Sequence, residues 1–503
     1  MEDSIVFVPA HKLQDKLTTG EITSVQLVQA FLNRIERHNH QGLGLKAVIS
    51  TCPIDIALNR AKELDDQRRI GQVRSELHGI PIVLKDAILT DPSLGMPTTV
   101  GSMVFSTLKA QRNASLVDKL IDAGMIILAK TNMTEFCGLK SKDTPVGWSQ
   151  YGGQTLSPFR EKGLDEKDQP TAGGSSSGSA VCISAGFAPL AIGTETAGST
   201  VYPASVNGLY GLKLSREVIP TDGIFKLSNS FDCIGIMARD PKDLATLFRV
   251  LVPFDVPKSG STSLYPSVTN NSNPWLGLQI GIVDTKWGVH ESMSKGKWDL
   301  PDVIIKYEVA GQKMGNLGAR VVYPFHIPEA DILKHDSLTL RDVSYHEFPS
   351  QVEEFLQNFH PNEIVKSLED IIAWNSEHDE KERLNPNSTQ TELVASLKAA
   401  LSPDVHSATV SRLRQLATVD GMEKWMTEYD VEFVLAPSDS TLVSFAACAG
   451  CPIATIPLGR LKKNNQPYGF FVLAKGQSEE RLLHLMEIFY ASFGNIDRLV
   501  DLM

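Results

Sequence analysis

Residues 170–187 read PTAGGSSSGSAVCISAGF, and this stretch decides how the rest of the chain is interpreted. It places four serines and three glycines in the seven positions from Gly173 to Ser179. A run of small, mostly apolar residues follows, which predicts a helix over about 178–186 that ends at Gly186. A flexible linker would begin in the same way but would not continue into a buried helix. The stretch therefore predicts a polar loop that opens directly onto a buried element.

Short apolar strands alternate with helices on both sides of this loop. The predicted strands lie in GIPIVLKD, MIILAKTN, PLAIGTET and NGLYGLKLS. The predicted helices lie at 22–38, at about 55–68, in SLVDKLIDAG and after the N-cap Asp240. This alternation indicates an α/β fold with a sheet covered by helices on both faces.

The second half of the chain is organised differently. Residues 253–275 are rich in proline and serine and are expected to form a loop or boundary. Strands are predicted in LQIGIV and ARVVYP, with a helix near 301–316 between them, and 328–430 is mostly helical in pattern. Strands in VEFVLAP, CPIATIPLG and YGFFVLA and a closing helix are expected to return to the early sheet. We expect a single domain over 1–503, with a core at about 10–250 and 430–495 and a helical insertion at about 255–430.

Composition excludes several classes of protein. The 503 residues carry 48 Lys and Arg against 59 Asp and Glu, and the resulting net charge of −11 argues against binding to nucleic acid. The sequence has neither a signal-peptide pattern nor an apolar run long enough to span a membrane, so a cytoplasmic protein is expected. Six cysteines are too few for a disulfide scaffold, and the CxxC pair Cys448 and Cys451 is interpreted as two buried thiols.

The serine-rich loop fits several common site patterns poorly. It lacks the GxxxxGK[ST] pattern of a phosphate-binding loop. Residues 174–178 match the G-x-S-x-G nucleophile elbow, which would make Ser176 the nucleophile, but no strand precedes them as that turn requires. No HExxH or comparable group of metal ligands is present.

Serine chemistry with a lysine base remains. A serine hydroxyl needs a base to become a nucleophile, and burial can make a lysine serve by disfavouring its charged form. Three lysines end apolar strands, namely Lys85, Lys130 and Lys213, and a second serine cluster lies at Ser199 in TETAGST. Composition alone does not pair a lysine with a serine.

The segment GGSSSGSA, followed by PLAIGTETAGSTVYPASVNGLYGLK, resembles the signature of the amidase signature family of serine amidohydrolases. Further blocks in the family's order are GIPIVLKD, GMPTTVGS, AGMIILAKTNMTEF, GIMARDPKDLATLFRVL and AGCPIATIPLG. The resemblance covers roughly 10–250 and 430–495, and the GTET form and GWSQYGGQT are closest to fungal and plant amidases. It implies a large mixed β-sheet flanked by helices.

The resemblance also implies a catalytic set. Lys85 matches the family's base, Ser175 its bridging serine after a cis peptide bond, and Ser199 its nucleophile. The backbone N–H groups of Thr196, Ala197, Gly198 and Ser199 match its oxyanion hole, and no cofactor or metal is implied.

Four positions depart from the family pattern. Ala197 stands where the family has glycine or aspartate, and it would be strained if the turn needed a positive φ there. Glu195 stands for the usual aspartate, Val201 for an arginine that pairs with that acid, and Ser177 for a glycine of the loop. No atom of the implied catalytic set is lost.

The resemblance implies an amidase that cleaves a carbon–nitrogen amide bond through an acyl-serine. The expected partner is a small-molecule amide, with no nucleic acid and no membrane span, and a homodimer is left open. Two alternatives remain: acyl transfer or ester cleavage by the same residues, and a non-catalytic scaffold, which the changes at Ala197 and Val201 would favour.

Overall fold

A computed structural model gives the fold of the chain. It describes residues 5–252, 273–288, 301–361, 364–378 and 389–494. The loop predicted at 253–275 therefore lies almost entirely outside the described residues. The expected α/β fold with a large mixed sheet and helices is confirmed.

One sheet of eleven strands organises the described chain. Its strand order is β1-β3-β2-β6-β8-β7-β12-β13-β11-β9-β10, and β4 and β5 form a separate hairpin. The strands are β1 Val48–Thr51, β2 Pro81–Lys85, β3 Ile126–Thr131, β4 Trp148–Ser149, β5 Gly153–Gln154, β6 Leu190–Glu195, β7 Tyr210–Lys213, β8 Cys233–Ala238, β9 Gln279–Ile282, β10 Arg320–Val322, β11 Phe433–Pro437, β12 Ile453–Arg460 and β13 Pro467–Leu473. The late strands β11 to β13 lie in the same sheet as the early strands β1 to β3 and β6 to β8, and β12 pairs with β7.

The sheet mixes both pairing directions, and this fixes where the strand ends meet. Strand β2 runs parallel to β3 and to β6, with Leu84 opposite Ile192. The pairs from β6 through β8, β7, β12 and β13 to β11 are antiparallel, and β11, β9 and β10 are parallel again. The carboxyl ends of β2 and β6 therefore lie side by side, which brings Lys85 level with the last residues of β6.

Fifteen α-helices are described. They are α1 Ala10–Thr18, α2 Ser24–His38, α3 Ile54–Arg69, α4 Ser115–Asp122, α5 Ser177–Ser184, α6 Val201–Val206, α7 Pro241–Leu251, α8 Pro301–Asn316, α9 Leu340–Leu356, α10 Leu368–Glu377, α11 Thr391–Lys398, α12 Pro403–Ala417, α13 Glu423–Glu428, α14 Leu442–Ala449 and α15 Glu479–Phe493. Local signals account for several helix starts. Thr23 caps α2 in a capping box with Gln26, and Asp240 accepts from Lys242 N at the start of α7, as the sequence predicts. Among the described residues, no helix combines the length and the apolar character that crossing a bilayer requires.

The region between the two core segments contributes both helices and strands. Helices α9 to α13 account for most of the described part of 328–430, while β9 and β10 extend the main sheet beyond β11. In the chain, helices α9 to α13 therefore come after β9 and β10, which belong to the main sheet. The division into one domain with an insertion stays a prediction.

The small residues of 170–187 are required by the close packing of helix α5. Every residue of α5 is buried, and the helix packs against β2, β3, β6 and β8. Gly178 lies at its start, where its N–H donates to Asn132 O at 2.9 Å. A Cβ atom at this position would lie 2.2 Å from Ala47 O and 2.5 Å from Asn132 N. Main-chain atoms approach so closely that only glycine fits.

Replacing Gly178 by alanine should therefore destabilise the protein. We expect Gly178→Ala to lower the free energy of unfolding by roughly 1–3 kcal/mol or more, because the clashing atoms belong to the main chain and cannot rotate away. Gly315→Ala is the matched control, since Gly315 also lies within a helix but a Cβ there would have its nearest neighbour at 4.0 Å. The control should be neutral or stabilising by roughly 0.5–1 kcal/mol. Denaturant unfolding measures both, and equal stability of the two variants would contradict this account.

Candidate active site

Lys85 lies at the carboxyl end of β2 and reaches across to the end of β6. Its Nζ atom lies 2.8 Å from Ser175 Oγ, 2.8 Å from Thr194 Oγ1 and 3.2 Å from Thr194 O. A neutral lysine amine has two N–H groups and one lone pair, so Nζ can donate to two of these oxygens and accept from the Ser175 hydroxyl. The three oxygens around Nζ are uncharged, and the Cys137 thiol is a further hydrogen-bond partner of Lys85.

Burial changes the acid–base character of Lys85. The side chain is fully buried, and desolvation lowers the pKa of its amine. Cys137, Asp232 and Glu195 oppose this effect, but burial outweighs them. A lysine with a lowered pKa has a larger neutral fraction at a given pH, so it can accept a proton.

Ser175 is held in place by the main chain around it. The peptide bond from Gly174 to Ser175 is cis, as the family resemblance implies. Thr134 N donates to Ser175 O at 3.0 Å, which ties the serine-rich loop to the segment after β3. The Ser175 side chain is buried, and its hydroxyl faces Lys85.

Ser199 lies on the turn between β6 and α6. Ser176 N donates to Ser199 O at 3.0 Å, so this turn is joined directly to the residue that follows Ser175. Ser199 is only half-buried, whereas Lys85 and Ser175 are buried. Lys85 and Ser175 are in direct contact. A main-chain hydrogen bond joins Ser199 to the same loop, and Ser199 is partly exposed to solvent.

Glu195 organises the turn that carries Ser199. One carboxylate oxygen accepts from Gly198 N at 2.8 Å, and the other accepts from Thr200 N at 2.6 Å and from Val201 N at 2.9 Å. These N–H groups belong to the turn and to the start of α6, where donors would otherwise be unsatisfied. Val201 stands where the family has an arginine, and here the acid binds the main chain itself.

The backbone of this turn shows whether Ala197 is strained. Positive φ occurs at Gly198, with φ of 89°, and not at Ala197, so the alanine is not in the strained region. Because Gly198 N–H is held by Glu195, it is not a free donor in this structure. Among the described residues no acceptor is found for the N–H groups of Thr196, Ala197 and Ser199, which narrows the predicted oxyanion donors to these three.

Asp232 is a part of the site that the sequence analysis missed. It immediately precedes β8, and its carboxylate accepts from Thr196 Oγ1 at 2.6 Å and from Leu227 N at 2.7 Å. Burial raises the pKa of Asp232 to about 6, and hydrogen bonds from Thr196 and Leu227 oppose the shift. The apolar run CIGIMA that follows could have marked a strand, with Asp232 at its entry.

The two other candidate lysines have structural partners. Lys130 Nζ lies 3.3 Å from Asp86 Oδ1, and both side chains are fully buried. Lys213 Nζ donates to Cys451 O at 2.8 Å. Of the three strand-end lysines, Lys85 is the one that contacts a serine hydroxyl.

The remaining serines of the loop act in packing. Ser176 Oγ donates to Thr194 O at 3.2 Å, and Ser179 Oγ donates to Ile192 O at 3.1 Å. Ser177 Oγ makes a longer contact of 3.4 Å to Thr155 Oγ1. Ser176, the residue at the elbow position of the sequence motif, thus bonds to the sheet, and its hydroxyl makes no hydrogen bond to Lys85.

The CxxC pair forms no metal site. Cys448 and Cys451 are free buried thiols at the end of α14 and before β12. Burial raises the pKa of Cys448 to about 12 and that of Cys451 to about 11. In the described ranges no group of three or more potential metal ligands comes together.

Comparisons with known proteins relate the chain to a family. A family model described as Amidase matches residues 26–483. The chain is 27% identical to a putative amidase of Schizosaccharomyces pombe, covering 94% of this chain and 83% of that protein. It is also 27% identical to a probable amidase of Arabidopsis thaliana, covering 92% and 86%. The crystal structure of a peptide amidase from Stenotrophomonas maltophilia is 30% identical, covers 98% of each chain and superposes with a TM-score of 0.84.

Because Glu195 accepts three main-chain hydrogen bonds, we expect its substitution to lower the stability of the protein. Glu195→Gln keeps the size of the side chain but replaces one acceptor oxygen by an NH2 group that must face a main-chain donor. We expect the free energy of unfolding to fall by about 1–3 kcal/mol. Glu479→Gln is the control, because Glu479 is also buried but accepts from Ser215 N at 2.7 Å through one oxygen, which an amide carbonyl can replace. Equal losses in thermal or denaturant unfolding would contradict this role for Glu195.

Proposed function

Because this chain belongs to the amidase family and hydrolyses carbon–nitrogen amide bonds, we propose that Ser199 is its nucleophile, Ser175 its proton relay and Lys85 its general base. The observation that supports this assignment is the 2.8 Å contact between Lys85 Nζ and Ser175 Oγ in a buried site. A neutral lysine there accepts the proton of Ser175, and Ser175 in turn accepts one from Ser199.

Acylation follows from these roles. Ser199 Oγ attacks the carbonyl carbon of the amide, its proton passes to Ser175 Oγ, and the proton of Ser175 passes to Lys85 Nζ. The tetrahedral intermediate collapses as the C–N bond breaks. The leaving nitrogen takes the proton of Ser175, which recovers one from Lys85, so the amine departs neutral and Lys85 is neutral again.

Deacylation repeats the proton path with water. Water attacks the ester formed on Ser199 and gives its proton to Lys85 through Ser175. The C–O bond to Ser199 then breaks, Ser199 recovers its proton, and the carboxylic acid leaves. Atoms and protons balance over the two steps, and the side chains of the chain alone carry the protons.

We assign the stabilisation of the negative charge on the carbonyl oxygen to main-chain N–H groups. The N–H groups of Thr196, Ala197 and Ser199 are the candidates, and Glu195 fixes the turn that aims them. The loss of one such donor typically costs about 3–4 kcal/mol in other enzymes. Gly198 takes part through its conformation, because its positive φ shapes the turn.

A small-molecule amide is the proposed substrate, and the cytoplasm is the proposed location. All six cysteines are free thiols, and five of them are buried. Free thiols are typical of proteins in a reducing compartment, where structural disulfides are rare.

Substitution of Ser199 or Lys85 tests the proposed chemistry. Ser199→Ala and Lys85→Ala should each abolish hydrolysis of a panel of primary carboxamides, peptide amides and anilides. A fluorophosphonate should label the wild type at Ser199, as mass spectrometry can determine, and should not label Ser199→Ala. Ser177→Ala is the control, because Ser177 belongs to the same loop but makes only the 3.4 Å contact to Thr155, and it should remain active. Full turnover by purified Ser199→Ala would refute the assignment.

The acid–base character of Lys85 predicts a rising pH profile. The base must be neutral, so kcat/KM should increase with pH through the pKa of Lys85 and then level off. Because burial lowers this pKa, the rise should come at lower pH than a solvated lysine would give.

Asp232 also loses its proton as pH rises, with a pKa of about 6, and because its carboxylate accepts from Thr196 Oγ1 on the turn before Ser199, we expect its ionisation to add to the rising limb. The Asp232→Asn variant separates the two groups: its profile should still rise, through Lys85 alone, and the rise should move to lower pH because the Asp232 carboxylate raises the pKa of Lys85. A profile of this variant that is flat with pH would exclude Lys85 as the base.

A further inference from the structure

Residues 224–232, which we call the site loop, connect the two sides of the proposed active site. Near one end, Phe225 N donates to Ala87 O at 2.8 Å, two residues after Lys85. At the other end, Asp232 accepts from Thr196 Oγ1 at 2.6 Å, on the turn before Ser199. The position of the site loop therefore affects both the base and the turn that carries the nucleophile.

The middle of the site loop is held by one carboxylate from helix α9. Glu347 Oε2 accepts from Ser228 Oγ and, at 3.1 Å, from Ser230 N. Glu347 Oε1 accepts from Ser230 Oγ at 2.5 Å. Helix α9 lies within 328–430, the region that the sequence pattern predicts to be mostly helical.

A second helix completes the surroundings of this carboxylate. His406 Nε2, on α12, lies 2.7 Å from Glu347 Oε1, and Glu347 is 8% exposed. Burial by itself raises the pKa of Glu347, but the hydrogen bonds from Ser228, Ser230 and His406 together outweigh it and lower the pKa. A buried carboxylate with this many donors holds its partners in a defined geometry.

Other contacts place the same helix along the length of the site loop. Phe225 packs edge-on against Phe348 and Phe355, with ring centroids 5.8 Å and 5.3 Å apart. Lys226 Nζ lies 3.4 Å from Glu354 Oε1, two turns of helix after Glu347. The bonds of Glu347 are thus part of a continuous contact between α9 and the site loop.

We propose that Glu347 is a positioning residue for amide hydrolysis, which holds the site loop so that Asp232 keeps Thr196 and the oxyanion turn in place. The proposal rests on the proposed function. Glu347 acts through Ser228 and Ser230 on the loop and through Asp232 on the turn, and it does not contact the reacting atoms. Displacement of a turn that must stabilise charge affects the transition state more than the bound substrate, so kcat should fall while KM changes little.

The test is the Glu347→Gln variant in the full-length enzyme. The side-chain NH2 group of glutamine cannot accept a hydrogen bond, so the bonds to one of the two Glu347 oxygens are lost. We expect kcat to fall about tenfold or more with KM within about twofold of wild type. Glu392→Gln is the matched control, because Glu392 is also a buried carboxylate in this region but bonds to Arg341 and Tyr345. The control should keep the wild-type kcat.

A double-mutant cycle distinguishes positioning from general damage. If Glu347 acts through Asp232, then Glu347→Gln should reduce kcat much less in the Asp232→Asn background than in wild type. Equal reductions in both backgrounds, or a wild-type kcat for Glu347→Gln, would overturn the proposal. If Glu347→Gln fails to fold, Ser230→Ala removes a donor from the opposite side of the same contact and must give the same pattern.

The outcome for Ser199→Ala separates the two proposals. If that variant is inactive while Glu347→Gln and Glu392→Gln have the same kcat, only the role of Glu347 is wrong. If Ser199→Ala is fully active, the proposed function itself fails, whatever Glu347→Gln shows.

Discussion

The burial of Lys85 among uncharged oxygens is the constraint on which the rest of the site depends. Lys130 shows the contrast, because it is equally buried but lies 3.3 Å from the carboxylate of Asp86. The Asp86 carboxylate opposes the effect of burial, which lowers the pKa of Lys130 to about 8, whereas the oxygens that accept from Lys85 belong to Ser175 and Thr194 and carry no charge. The parallel pairing of β2 with β6 places Lys85 beside the end of β6, where Thr194 accepts from its amine.

The departures from the family pattern do not disturb this arrangement. Glu195 bonds directly to the main chain of the turn, so the turn is fixed without the arginine that Val201 replaces. Ala197 is unstrained, because Gly198 adopts the positive φ. The scaffold alternative relied on changes at Ala197 and Val201, and the geometry of the turn removes the physical reason for it.

Local sequence patterns predicted most elements of the fold, but they could not predict which residues far apart in the chain contact each other. The alternation of strands and helices and the cap at Asp240 depend on neighbouring residues, so they could be predicted. Strand β8 was not identified, although CIGIMA is a continuous apolar run, because short runs of this kind fit a strand or a buried helix equally well. Lys85 and Ser175 are 90 residues apart, and only the family resemblance paired them. No pattern pairs Ser228 with Glu347, which lie 119 residues apart.

These long-range bonds bear on how the helical region relates to the core. The carboxylate of Glu347 is buried and takes its donors from the site loop and from α12. Separating α9 from the loop would leave this charge without its partners, and an uncompensated buried charge typically costs about 3–5 kcal/mol. Motion of the helical region away from the core is therefore opposed at the same place where the loop meets Asp232. This coupling joins helices α9 and α12 to the core through the site loop.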